Sequence, residues 1–154
     1  MKIRRATTED LQRIMPLIMA FHKETLEPFG MGFDIPSVEA IVKIFSEQHV
    51  GLVVEDGEQL IGVIGGAVAP SFTDFNVRIF NEAIWFVLPE YRGGSAGIKL
   101  LKLVEEYCKN IGVQKIVMVG MFNEDRERLA GFYEKMGYRA IEIHYIKDLT
   151  HAGN

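Results

Sequence analysis

In 154 residues the chain carries 48% apolar and 25% charged side chains, the composition of one compact globular domain, which excludes a disordered tail or a fibre. A formal charge of −4 argues against a protein that works by neutralising nucleic-acid phosphates, so no nucleic-acid partner is expected. The single cysteine, Cys108, rules out an internal disulfide and a multi-cysteine zinc site. No apolar run approaches the ~20 residues that span a bilayer, and Glu9, Asp10 and Pro16 spoil the N-terminal stretch as a signal peptide. The expectation is a cytoplasmic protein without a membrane partner or a metal.

Taken in chain order, Lys2 to Ala6 alternates weakly as a first strand, and Thr7-Thr8-Glu9-Asp10 then supplies hydroxyls and acids that suit a helix start. Leu11, Ile14, Met15, Ile18, Met19 and His22 follow the spacing of one buried helical face, with a kink or break expected at Pro16. Pro28, Gly30, Gly32 and Pro36 mark a loop over 27–36, and a second amphipathic helix carries Val38, Ile41, Ile44 and Phe45. The runs 51–55 and 59–68 are β-rich and are joined by Asp56-Gly57, a hairpin turn. Residues 70–78 look irregular and aromatic.

The run Ala83-Ile-Trp-Phe-Val-Leu88 is nearly continuous in apolar side chains, as in a central strand covered on both faces, and it stops at Pro89. A helix follows over about 96–111, with Ile98, Leu101, Val104, Cys108 and Ile111 inward and Gly112 past its end. Lys115 to Met121 is a short strand. Asn123 then caps a helix bearing Leu129, Phe132, Tyr133 and Met136, which Gly137 ends before a last strand over about 138–146. The order is βα(α)βββαβαβ.

The junction between the apolar strand and the strong helix carries the chemistry. Gly93, Gly94, Ser95, Ala96 and Gly97 are small enough for a phosphate to approach the main chain, and the dipole of the following helix favours negative charge there. Neither the P-loop pattern nor the dinucleotide fingerprint is present. The same residues would also serve a plain strand-to-helix turn.

Val87-Leu-Pro-Glu-Tyr-Arg-Gly93 and the loop Arg92-Gly-Gly-Ser-Ala-Gly97 resemble the hallmark phrase and the Q/R-x-x-G-x-G/A loop of the GCN5-related N-acetyltransferase (GNAT) family, with Ser95 in place of the usual middle glycine. A second phrase, Asn123 followed by Leu129-Ala-Gly-Phe-Tyr-Glu-Lys-Met-Gly-Tyr138, is similar to the family's N-x-x-A-x-x-F-Y-E-K-x-G-F segment. The element order matches as well, so the resemblance covers essentially all of 1–154 as a single N-acetyltransferase domain. It implies an α+β fold, a mixed, mostly antiparallel sheet with helices on both faces in three layers.

The resemblance implies acetyl-CoA as acyl-donor cosubstrate, an amine acceptor and direct attack in a ternary complex, with a homodimer compatible. A non-catalytic acyl-CoA-binding sensor or interaction module is the alternative. By resemblance Arg92 and the loop 93–97 hold the pyrophosphate, and the main chain of Phe86, Val87 and Leu88 lies along the pantetheine arm, where the Val87 N–H can face a developing oxyanion. Asn123 resembles a cofactor-contacting asparagine, although a helix cap explains it too. Tyr133 matches the general acid, and also fits as a core tyrosine. Glu82 is the best-placed general base, with His144 as an alternative; each also suits a structural place. Cys108 falls on a buried helix face, which gives a covalent acetyl-cysteine route little support.

Overall fold

The computed structural model describes residues 1–150. These residues form two compact units, Met1–Val119 and a second from Gly120 onward.

The first unit is built on a five-stranded sheet in the order β1 (Lys2–Arg5), β2 (Val50–Asp56), β3 (Gln59–Ser71), β4 (Asp74–Val87) and β5 (Lys115–Val117). The first four strands pair antiparallel and β5 joins β4 in parallel, so the sheet is mixed. The Asp56-Gly57 hairpin is where the sequence places it, with Gly57 at φ 63, a left-handed position that suits glycine. Residues 70–78 depart from expectation. They extend the β3–β4 hairpin to a tip at Ser71–Asp74, beyond the core, where Phe72 and Phe75 are 92% and 78% exposed. Neither face of that ribbon is buried, so the period-two signature of a strand is missing from it.

Helices α1 (Leu11–Thr25) and α2 (Ile35–Gln48) cover one face of the sheet, where Ile14, Leu17 and Val42 pack with Val53, Val63, Ile84 and Phe86. Helix α3 (Ala96–Asn110) packs against β2, β3 and β4 through Leu100, Leu101, Val104 and Cys108. Trp85 and Val87 alternate with Ile84 and Phe86 and lie beside Gly97 of α3, so α3 is on the opposite face. This is the three-layer arrangement.

Three details of the helices differ from expectation. Pro16 sits within α1 without ending it: the residue is exposed, and the one carbonyl it leaves without an amide donor can be hydrated. Met19 is 51% exposed, and His22 is off the buried face, its Nε2 donating to the Met31 carbonyl at 2.7 Å, because Leu17, Ile18 and Phe21 carry the stripe into the sheet. On α2 the buried position is Val42, while Ile41 and Ile44 are 40% and 38% exposed.

One corner of the unit is held by charge. Arg4 on β1 donates to both carboxylate oxygens of Asp10 at 2.7 Å and to Glu55 on β2, which also accepts from Arg13 on α1 at 3.0 Å. Asp10, only 4% exposed, accepts in addition from the Thr7 N–H at 2.8 Å. The Arg4 guanidinium, with help from Thr7, holds the Asp10 carboxyl down at about 2.

In the second unit α4 spans Arg126–Lys135. It ends in a full Schellman closure: the Tyr138 N–H donates to Tyr133 O and the Gly137 N–H to Glu134 O, with Gly137 at φ 92. The strand expected over 138–146 does not form. Ile141, Ile143 and Tyr145 alternate as a strand would, yet all three are exposed, and alternation alone makes no ladder without a paired neighbour.

Candidate functional site

The strand β4 changes character halfway along. From Ile79 to Asn81 it is flanked on both edges, by β3 and by β5 (Asn81 opposite Val117). Beyond Asn81 no β5 residue is in register with it among the described residues. There the Val119 N–H donates instead to the Glu82 carboxylate at 2.8 Å, so a side chain stands where a main-chain partner would have been.

Which amides face that opened edge follows from parity. The Leu88 N–H donates to Ile61 O on β3 at 2.9 Å, which makes Ile61/Leu88 a hydrogen-bonded pair and, two residues back, Val63/Phe86 another. Val87 therefore turns its N–H and C=O away from β3. Its carbonyl accepts from Arg92 Nε at 2.9 Å, as this orientation requires. Of the three residues expected along the pantetheine arm, Val87 alone has its own amide on the open edge; those of Phe86 and Leu88 belong to the ladder with β3.

The register of β4 also shifts. Gly65 is opposite Ile84 but Gly66 is opposite Glu82, which leaves Ala83 as the extra residue of a β-bulge. Gly66 lets the strands come together at this point: an added Cβ would stand 2.0 Å from the Asn81 carbonyl oxygen and 2.9 Å from Glu82 Cα.

Glu82 occupies an electrostatically unusual place. Burial pushes its carboxyl up to about 7, against the lowering effect of the Val119 N–H, and no cation contributes to the shift. At neutral pH such a group is poised to take or give a proton. Cys108 is the contrasting case, a thiol pushed up to about 11 by burial and by Glu105, and so neutral in the core.

After Val87 a single helical turn at Pro89–Tyr91 leads into the loop and α3. Among the described residues no hydrogen bond takes up the N–H groups of Gly93, Gly94, Ser95, Ala96 or Gly97, the orphan donors of a helix start. The glycines have different reasons to be there. Gly93 has φ 83, a conformation that disfavours any side chain. Gly94 and Gly97 have no such demand: an added Cβ would be in ordinary contact, 3.6 Å from Tyr91 O and 3.7 Å from Trp85 Cζ2 respectively. The protein itself has room for alanine at both.

Arg92 is committed to protein groups. Besides the Val87 carbonyl it grips both carboxylate oxygens of Glu24 on α1, at 2.9 and 2.7 Å, and its guanidinium is 5.1 Å from the Phe86 ring centroid. It braces the end of α1 against the end of β4. Glu24 was not singled out from the sequence, and a contact across 68 residues has no local signal. The Trp85 indole makes a second tie, its Nε1 donating to Gly97 O at 3.3 Å.

Two further candidates belong to the second unit. Tyr133 is half-buried on α4, its ring 5.5 Å from that of Tyr138. Asn123 is not the N-cap of α4, which is Asp125; it closes the turn before it, its Oδ1 accepting from the Asp125 N–H at 3.0 Å, because the chain needs one more turn before the helix begins. His144 is exposed, 3.6 Å from Glu142.

The model of the Acetyltransferase (GNAT) family matches residues 18–138. The chain is 29% identical over 140 residues to an S-alkylcysteine N-acetyltransferase of Bacillus subtilis, covering 88% of this chain and 76% of that protein. It is 27% identical over 109 residues to a glucosamine 6-phosphate N-acetyltransferase of Trypanosoma brucei brucei, covering 71% and 66%. The solved ribosomal-protein-alanine N-acetyltransferase of Brucella melitensis biovar Abortus 2308 superposes with a TM-score of 0.75 over 96% of this chain and 98% of that one, a likeness of fold at 15% identity.

Proposed function

We propose, from the premise that this chain belongs to the acetyltransferase (GNAT) family and is an acyltransferase, that it transfers the acetyl group of acetyl-CoA to a primary amine by direct attack in a ternary complex. The observation that carries this reading is the opened edge of β4 running into a loop whose amide donors, Gly93 to Gly97, have no protein partner among the described residues. Glycine at 94 and 97, which the fold itself does not demand, adds to it. At Gly97, inside α3, alanine is the better helix former by roughly 1 kcal/mol, so glycine there is best explained by a group approaching the main chain closely.

Bound acetyl-CoA supplies a thioester carbonyl activated toward amines. The amides of Gly93 to Gly97 and the start of α3 hold its diphosphate, with Arg92 acting through the geometry it imposes on the loop. The Val87 N–H is presented to the carbonyl oxygen. Glu82, with its carboxyl near neutrality, takes the proton from the acceptor ammonium, directly or through water. Tyr133 supplies a proton to the departing thiolate, which leaves as the free thiol, and Asn123 is assigned to the cofactor's edge. The buried, neutral Cys108 is a poor nucleophile, which favours direct attack over a covalent acetyl-enzyme.

The relatives' names describe N-acetylation of S-alkylcysteine and of glucosamine 6-phosphate, both primary amines on small molecules, and the same acceptor type is assigned here. Among the described residues no helix is long and apolar enough to cross a membrane. Calorimetry with coenzyme A and thiol release from acetyl-CoA over a panel of amines test the reading. Binding with turnover on at least one amine is expected; binding without turnover on any would favour a non-catalytic sensor, and no binding would end the proposal.

A further inference from the structure

A cavity of about 140 Å³ lies between α1, α2 and the sheet. Phe21, Ile41 and Phe45 form its helix side. Its sheet side is made largely of small residues: Gly51 and Gly65 are register partners across β2 and β3, and the Ala6 N–H donates to Gly51 O at 2.9 Å. On β4 both Ala83 and Ile84 line it. Ala83 is the extra residue of the bulge. The bulge thus brings the cavity wall to the residue next to Glu82. Among the described residues that line it, Ser46 alone has a polar side chain.

The fold does not require this emptiness. A Cβ added at Gly65 would meet Val50 O at 3.4 Å and Phe45 Cδ2 at 3.5 Å, and one at Gly51 would meet Ala6 Cβ at 3.6 Å, all ordinary contacts. Neither glycine has a positive φ. Alanine at either place would strengthen the strand and bury more apolar surface, so the space is kept at a cost in stability.

Resting on the N-acetyltransferase reading, we infer that this cavity receives the far end of the acceptor, and that the acceptor is a primary amine whose remainder is an uncharged apolar group of about five or six carbons. An apolar cavity of roughly this volume accommodates a six-carbon ring. A phosphate or a second ammonium placed there would lose its hydration with no charged group and only the Ser46 hydroxyl to replace it, so sugar phosphates and polyamines are disfavoured as acceptors.

The test uses n-propylamine through n-octylamine with the full chain. Binding is read by calorimetry in the presence of coenzyme A, and turnover by thiol release from acetyl-CoA. Affinity and kcat/KM should both rise about fourfold per methylene up to pentyl or hexyl and then level or fall. Gly65→Ala should move that maximum to a chain one or two carbons shorter and weaken hexylamine about fivefold or more, with a Tm unchanged or raised; Gly51→Ala should act in the same direction. A profile flat with chain length, or a maximum that both glycine variants leave in place, overturns the inference. Chain-length-dependent binding without thiol release from any amine would keep the cavity and discard acetyl transfer, whereas thiol release without chain-length dependence would do the reverse.

Discussion

Asp10 is buried and Glu82 half-buried, yet their carboxyls are driven in opposite directions, one down to about 2 and the other up to about 7. The difference lies in the company each keeps. Asp10 has a two-pronged arginine and the Thr7 N–H, so its charge is matched where β1, β2 and α1 meet. Among the described residues Glu82 has one amide, that of Val119, and no cation. A matched carboxylate stabilises a corner; an unmatched one is held ready to change its protonation, at a cost to the fold.

That contrast can be broken at its more reactive end first. Glu82→Gln should lower kcat/KM at pH 8 by about a hundredfold or more, and should abolish the limb of the wild-type profile that climbs as pH rises toward 7, since a base works only once deprotonated. The same variant should be more heat-stable than wild type at pH 8 and no more stable at pH 4. The sign follows from linkage: a carboxyl raised in the folded state weakens folding as pH rises from about 4.5 to 7, and above 7 the whole cost is present. Equal Tm differences at the two pH values would show that Glu82 is not destabilised by its surroundings.

At the other end, Asp10→Asn should cost about 3 kcal/mol in denaturant unfolding at pH 7, because it strips Arg4 of its main counter-charge. Here the stability is present above the ordinary carboxylate pKa and is lost as pH falls toward 2, and the variant should leave the activity profile's shape untouched. A change in that profile would mean that the two carboxylates are coupled. Tyr133→Phe should reduce kcat by roughly ten- to a hundredfold with little change in Tm, since the phenyl ring keeps its contact with Tyr138. The smallest effect is expected from Gly94→Ala, a several-fold weaker affinity for coenzyme A in calorimetry with unchanged unfolding, because the methyl group meets the ligand and not the protein.

Much of this could be read from the chain alone wherever local chemistry decides. Asp56-Gly57 forces its turn, the alternation of lysines with Leu101, Val104 and Cys108 forces α3, and the small residues after Arg92 mark the donor-rich loop. What depends on a distant partner was not legible. The bulge at Ala83 exists only relative to Gly65 and Gly66, and the Arg92 brace only relative to Glu24. The elevated carboxyl of Glu82 comes from atoms that pack around it, which its neighbours in sequence do not announce. The alternation over 138–146 misled in the opposite sense, because a strand needs an edge to join.

Gly66 illustrates what this dependence implies for reading a mutational scan. Any side chain at that position would collide with the backbone of Asn81 and Glu82, so β4 would have to be displaced at the stretch where its edge opens. Substitutions there should score as severely as loss of a reacting group, although glycine has nothing to react with. The scan would be registering the alignment of two strands, and a hit at Gly66 would identify where the proposed site is anchored rather than what it is made of.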